Sequence, residues 1–201
     1  MATGQIEHHK VLLTGATGFI GNHILSKLLE SGSSVRATVR SELKIATLRQ
    51  CHSSASESLD FAVVSDMTAP GSFSEAFRSQ DPITTVIHTA SPFLYKDVHH
   101  NSDLLNPAIQ GTLRILEAAH ETPSVRRVII TGSIAAVVDY TTTAGTDGTR
   151  KMYFANDWNP ISWDKATTAE DKPTVYRASK TFAEREGMLI HPYMTPRIFP
   201  C

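Results

Sequence analysis

The sequence predicts a doubly wound parallel α/β sheet, and three observations carry that prediction. Short apolar runs of strand length alternate with segments of helical period from Lys10 to Thr131. A glycine-rich turn joins the first such strand to the first such helix. The chain has 201 residues, 41% hydrophobic and 19% charged, which suffices for a substantial core.

The elements follow in order. Lys10 to Thr14 (KVLLT) is a buried-strand run that ends at Gly15. Phe19, Ile20, Ile24, Leu25, Leu28 and Leu29 then recur at helical spacing, and Ser31-Gly32 closes that helix. Val35 to Val39 is a second strand, Glu42 to Gln50 a short helix, and the serine-rich stretch from Cys51 to Ser58 a surface loop. Leu59 to Ser65 gives a third strand, Phe73 to Arg78 a short helix, and Thr84 to Thr89 a fourth strand. Asp103 to His120 keeps a helical period through Leu105, Ile109, Thr112, Leu113, Leu116 and Ala119, with Pro107 tolerated or kinking near its start. Val125 to Thr131 is a fifth strand. Right-handed crossovers turn this alternation into a Rossmann-like domain with helices on both faces of the sheet. The stretch from Asp139 to Pro173 breaks the rhythm and reads as a functional lid or a small lobe. Gly187 to Cys201 carries three prolines and does not read as a sixth strand.

Several functions are excluded by composition. With net charge −1 and no Lys/Arg cluster interleaved with aromatics, a nucleic-acid partner is not expected. The start MATGQIEHHK lacks the apolar core of a secretory signal, and no run approaches membrane-spanning length. Cys51 and Cys201 suggest neither a disulfide framework nor zinc, so a cytoplasmic location is the expectation. The pairs His8/His9 and His99/His100 point apart on any regular element, so no metal is expected.

Chemistry concentrates at strand carboxyl ends. Thr14-Gly-Ala-Thr-Gly-Phe-Ile-Gly21 places Gly15, Gly18 and Gly21 between a buried strand and an amphipathic helix. There the chain must turn sharply and let a pyrophosphate reach the backbone and the helix N-terminus. Arg40 ends the second strand where an NAD site tends to hold a carboxylate, with Arg36 four earlier on the same face and Lys44 following. A guanidinium there can pair with a 2′-phosphate, which favours NADP(H); the alternative is a solvated basic strand end. Asp66, after the third strand, could accept from an adenine amino group or cap the next helix. Thr89, Ala90 and Ser91 put small residues beside the sheet edge, and His88 could act as a base, although an inward-facing structural histidine fits its strand better. Ser133 follows the fifth strand. Tyr176 and Lys180, four apart, share one helix face. An ammonium beside a phenol favours the phenolate, so Tyr176 can give a proton to a carbonyl oxygen that Ser133 holds.

Taken together, TGATGFIG, VRATVR, VVSDMT, VIHTASPF, NPAIQGTLRILEAA, VIITGS and VYRASK resemble the extended short-chain dehydrogenase/reductase family over about residues 8–186. The branch most similar is the fungal NADPH-dependent ketone and aldehyde reductases, with dihydroflavonol and cinnamoyl reductases as relatives. Asn156 to Trp163 is similar to that branch's insert. The resemblance implies a domain over 8–186 with an insert at 139–173, followed by a divergent tail at 187–201. It implies Ser133, Tyr176 and Lys180 as the catalytic triad and a small carbonyl compound as substrate. For the cofactor it implies Gly15, Thr17, Gly18, Phe19, Ile20, Gly21, Arg40, Lys44, Asp66, Met67, Thr89, Ala90 and Ser91, together with Tyr176 and Lys180. A homodimer through the helices from Asp103 and Tyr176 is a further implication.

The family's pattern continues into another strand, an Asn-Pro-Pro-type turn and a second lobe that encloses substrate, whereas here GMLIHPYMTPRIFPC follows Glu186. The expectation is a chain that stops before its substrate half is complete, with an exposed sheet edge and weaker water exclusion. Three functions stay open at this point. They are a carbonyl reductase, a truncated cofactor-binding or regulatory protein with little catalysis, and a non-redox isomerase, dehydratase or cyclase using the same pocket.

Overall fold

A computed structural model describes residues 10–91, 98–141 and 151–190. The chain divides into two compact units. Of the described residues, the first contains 10–90 and Arg114–Thr131, and the second contains 91, 98–113, 132–141 and 151–190.

The first unit is built on five strands: β1 (Lys10–Thr14), β2 (Ser34–Val39), β3 (Leu59–Val63), β4 (Ile83–His88) and β5 (Arg127–Ile130). They form one sheet in the order β3-β2-β1-β4-β5, and every pairing is parallel. Consecutive residues of β1 supply opposite faces, as the two-residue period of a strand demands. Leu13 packs with Leu25 of α1 (Phe19–Glu30) and Leu48 of α2 (Glu42–Cys51). Leu12 packs on the other face with Phe73, with Ala76 of α3 (Ser74–Phe77), and with Ile115, Ala118 and Ala119 of α4 (Ser102–His120). Both faces of the sheet are therefore covered, which is why its strands read as continuous apolar runs. The order reverses between β1 and β4, and that switch point is where an open α/β sheet offers a crevice at its strand ends.

Element boundaries depart from the sequence reading by a few residues. Strand β3 ends at Val63 rather than Ser65, β5 is shorter by two residues at its start and one at its end, and the loop after Cys51 contains a 3-10 turn at Ser53–Ala55. α4 is one helix with Pro107 inside it. β5 is a sheet edge with Ile129 and Ile130 exposed.

The second unit gathers Leu104 and Leu105 from the start of α4 with Ile161, Ala166 of α5 (Trp163–Thr168), and Val175 and Ala178 of α6 (Lys172–Ile190). Its aperiodic insert is held by contacts distant in sequence. The Asn101 amide reaches the carbonyls of Ala166, Thr167 and Ala169 at 3.1, 3.1 and 2.8 Å, closing the end of α5. Arg177 and Arg185 of α6 lie over the rings of Tyr140 and Trp158 at 4.0 and 5.1 Å, and Trp163 meets Phe182 at 5.4 Å. The described part of the stretch from Asp139 to Pro173 is thus a packed layer on α6. α6 begins four residues before Tyr176 and runs to Ile190, past the end of the family-like pattern at Glu186. The rest of the tail and residues 142–150 lie outside the described residues.

Candidate active site

The glycine turn sits at the carboxyl end of β1, in the first unit, and its three glycines serve different ends. Gly15 has φ +73°, and a Cβ there would lie 2.8 Å from the Ala90 amide nitrogen. At Gly21 a Cβ would overlap the Gly15 carbonyl oxygen. Gly18 has an ordinary φ of −82°. A Cβ on it would meet only the Gly15 carbonyl oxygen, at 3.3 Å, with open space beyond. Two glycines shape the turn, and the third keeps the approach to the backbone clear.

Gly18 caps α1 without a side chain, and no acidic residue occupies the first turn. The first helical hydrogen bond runs from the Asn22 amide to the Gly18 carbonyl at 2.9 Å. The N–H groups of Phe19, Ile20 and Gly21 therefore lack helical partners, and the positive end of the helix dipole is uncompensated. Thr17, Gly18, Phe19 and Ile20 form an exposed run, with Phe19 96% exposed at the helix start. This cradle fits a dinucleotide pyrophosphate.

Arg40 follows β2 and Lys44 lies in the first turn of α2; both are exposed. Among the described residues, no carboxylate lies within ion-pair distance of either. Arg36 is elsewhere engaged. Its Nη1 bonds Asp60 Oδ2 at 3.0 Å, and the half-buried Asp60 also takes the Lys10 ammonium at 3.2 Å. Shared strand face did not place Arg36 at the basic end, because it pairs with Leu12 and Asp60 in mid-sheet.

Asp66 is exposed and accepts on Oδ1 from the Thr68 hydroxyl at 2.7 Å and the Thr68 amide at 2.8 Å. Those donors hold its carboxyl below the usual range, so it stays an acceptor. Helix α3 starts only at Ser74, so Asp66 closes a local turn and does not cap that helix. Met67 is partly buried and packs against the core of the first unit. Thr89 is tied back to β1, its Oγ1 donating to the Thr14 carbonyl at 2.7 Å. Ser91 Oγ is buried and, among the described residues, has no hydrogen-bond partner. His88 is 2% exposed, bonded to Thr14 and edge-on to Phe73, which makes it a structural group of the interior.

The second unit holds all three proposed catalytic side chains. Ser133 stands at the head of a 3-10 turn, Ile134–Ala136, and its Oγ accepts from the Ala135 amide at 3.1 Å. With that lone pair engaged, the hydroxyl hydrogen is free to be given outward. Tyr176 and Lys180 lie one turn apart on α6, which packs against the 3-10 turn. Ser179, fully buried between them in sequence, fixes the helix by donating to the Tyr176 carbonyl at 2.7 Å.

Burial pushes the Lys180 amine below its ordinary range, and the charge of Glu184 pulls it partly back. The converse holds for Glu184, whose carboxyl is raised by burial and lowered by Lys180. Glu184 lies against Gly132, where a Cβ would come 3.4 Å from its Oε2. The sequence reading missed Glu184, although its spacing four beyond Lys180 puts it on the same helix face. It also missed Asn159, whose signal was the turn-forming Asn159-Pro160 pair. Among the described residues, no group of three or more His, Cys, Asp or Glu is placed to hold a metal ion. None of their helices is long and apolar enough to cross a membrane.

Known proteins resemble this chain in sequence and in fold. Ketoreductase azaE of Aspergillus niger is 36% identical over 178 residues, covering 88% of this chain and 50% of that protein. Aldehyde reductase 2 of Sporidiobolus salmonicolor is 37% identical over 181 residues, covering 87% and 50%. The crystal structure of the yeast methylglyoxal/isovaleraldehyde reductase Gre2 complexed with NADPH superposes with a TM-score of 0.85 at 30% identity. That match covers 94% of this chain and 54% of the yeast one. The chain thus spans about half the length of the relatives it matches. The sequence profile of the NAD dependent epimerase/dehydratase family matches residues 11–186. Covering the glycine cradle, the five-stranded sheet and the Ser133–Tyr176–Lys180 set in one continuous match, it assigns the chain to that family, the extended short-chain dehydrogenase/reductases.

Proposed function

We propose that the protein is an NADPH-dependent reductase of a small aldehyde or ketone. The observation that carries this reading is the orientation of Ser133. Its oxygen is engaged by the Ala135 amide, so its hydroxyl can donate to a carbonyl oxygen, and Tyr176 and Lys180 occur in the same unit. NADPH, when bound, supplies the hydride that reaches the carbonyl carbon. The Tyr176 hydroxyl gives its proton to the oxygen, turning the carbonyl into an alcohol, and the Lys180 ammonium stabilises the phenolate left behind. Ser133 holds the oxygen as charge develops on it. Gly15, Gly18, Gly21 and the amides of Phe19 and Ile20 would hold the pyrophosphate, and Arg40 with Lys44 the 2′-phosphate. Asp66, whose Oδ2 has no partner among the described residues, would accept from the adenine amino group. The names of the relatives support the same chemistry, since they include a ketoreductase, an aldehyde reductase and an NADPH complex. Pairing of two copies through α4 and α6 belongs to this reading, supported by exposed Met188 and Leu189 on α6; sedimentation tests it.

The deciding experiment is thermal unfolding with NADPH and with NADH, followed by NADPH oxidation over a carbonyl panel. Binding at a hundredfold excess over Kd stabilises by about 2.7 kcal/mol. A saturable shift favouring NADPH, with turnover that Tyr176→Phe abolishes while the shift persists, is the expected result. Turnover unchanged in Tyr176→Phe, or product formed without NADPH consumption, would sink the proposal.

A further inference from the structure

Asn159 is 6% exposed and turns its backbone amide, its side-chain amide hydrogens and its side-chain oxygen to the Ser133 turn or its own neighbourhood. Its backbone amide donates to the Ala136 carbonyl at 2.8 Å. Its Nδ2 donates to the carbonyls of Ala135 and Val138 at 3.3 and 2.8 Å, and its Oδ1 accepts from the Ile161 amide at 3.0 Å. The amides of that turn point the other way. Ala135 N–H goes to Ser133 Oγ, Ala136 N–H to the Ser133 carbonyl, and those of Val137 and Val138 to the Ile134 carbonyl. Amides directed to Ser133 and Ile134, and the Ala135, Ala136 and Val138 carbonyls directed to Asn159, pair most of the turn's polar groups, which at its buried Ala135–Ala136 centre selects one geometry.

We propose that Asn159 is a positioning residue for Ser133, acting through residue Ala135, whose carbonyl in one peptide group it holds while the N–H of the preceding peptide group holds the serine oxygen. The inference rests on the carbonyl-reductase reading, in which Ser133 touches substrate. It assigns the insert a part in the reaction: one asparagine aims the residue that binds the carbonyl oxygen. An aspartate at 159 keeps the shape and loses both side-chain donors, and it turns a negative oxygen toward carbonyl oxygens that need a hydrogen.

The test compares the unaltered chain with Asn159→Asp, Ser133→Ala and the double variant, by NADPH oxidation and by hydrogen exchange. Asn159→Asp is expected to lower kcat at least tenfold with the KM for NADPH unchanged. Exchange at 134–138 should rise while that of β1 to β4 stays as it was. The double variant should lose no more than Ser133→Ala alone, because a residue that works through Ser133 has nothing left to position. Losses that add, or exchange at 134–138 that does not change, would overturn the assignment. If Asn159→Asp loses its cooperative melt, Asn159→Ser, smaller and neutral, carries the same comparison. An unaltered chain that binds NADPH but turns over no carbonyl counts against the reductase reading, and the exchange measurement then decides the clamp by itself.

Discussion

The Thr14 hydroxyl lies 2.8 Å from Nδ1 of His88, and between them they bind the ends of β1 and β4 at the switch point. Thr14 Oγ1 also accepts from the amides of Thr89 and Ala90, each at 3.2 Å. Two donors fill its lone pairs, so its own hydrogen is the one directed to Nδ1. Thr14→Val, nearly the same shape, leaves the two amides and Nδ1 without this partner. It should cost about 1–3 kcal/mol of stability, seen as a lower denaturation midpoint. Thr14→Ser should restore most of it.

The glycines separate folding from binding. Gly15→Ala and Gly21→Ala should lower the melting temperature sharply or prevent soluble expression, since the first forces a side chain into positive φ and both meet backbone. Gly18→Ala should melt close to the unaltered protein yet bind NADPH at least about tenfold more weakly, because its methyl would enter the open space of the proposed pyrophosphate cradle. Equal nucleotide affinity in Gly18→Ala would refute this division.

Arg40 should decide between the two nucleotides. Losing a charge-assisted contact of about 1.5–3 kcal/mol, Arg40→Glu should raise the Kd for NADPH roughly 10–100-fold while that for NADH changes little. Isothermal titration with both nucleotides checks it, and parallel losses would place the 2′-phosphate elsewhere.

Lys180 and Glu184 oppose folding when charged, and the sign follows from their shifts. The folded amine lies below its unfolded value of 10.5, so the unfolded state binds more protons between the two. Stability contributed by Lys180 therefore rises as pH climbs through that window. Glu184, raised above 4.5, makes stability fall as pH climbs from below 4.5 through its folded value. Lys180→Met should be inactive and should lose the pH dependence that the buried amine gives to stability. Urea titrations across pH should show the alkaline rise vanish in Lys180→Met and the acid-side fall vanish in Glu184→Gln.

The strands were legible because each apolar run is local and bounded by turn residues; β1 spans Lys10–Thr14 as read. The glycine turn was legible for the same reason, since strand, turn and helix are contiguous. The insert was not. Its order comes from pairs such as Arg185 with Trp158 and Asn101 with Ala169, which leave no period in the sequence. Arg36 misled because strand alternation gives a face but not a height along the sheet; its partner Asp60 is known only once β2 and β3 are paired. The Asn159-Pro160 pair signals a turn, but the partners of the Asn159 side chain are backbone carbonyls more than twenty residues away, and carbonyls have no sequence signature.

The strand order has a consequence for the chain as it is made. Of the five described strands, β1 precedes the others in the chain and lies in the middle of their sheet. Its β2 edge can be closed within a few dozen residues, but its other edge stays bare until Ile83–His88 has left the ribosome. At about 5–20 residues per second, the nascent chain carries the open edge of its most central apolar strand for seconds. During that interval the bare edge of β1 is open to aggregation, so translation speed over residues 40–88 bears on yield.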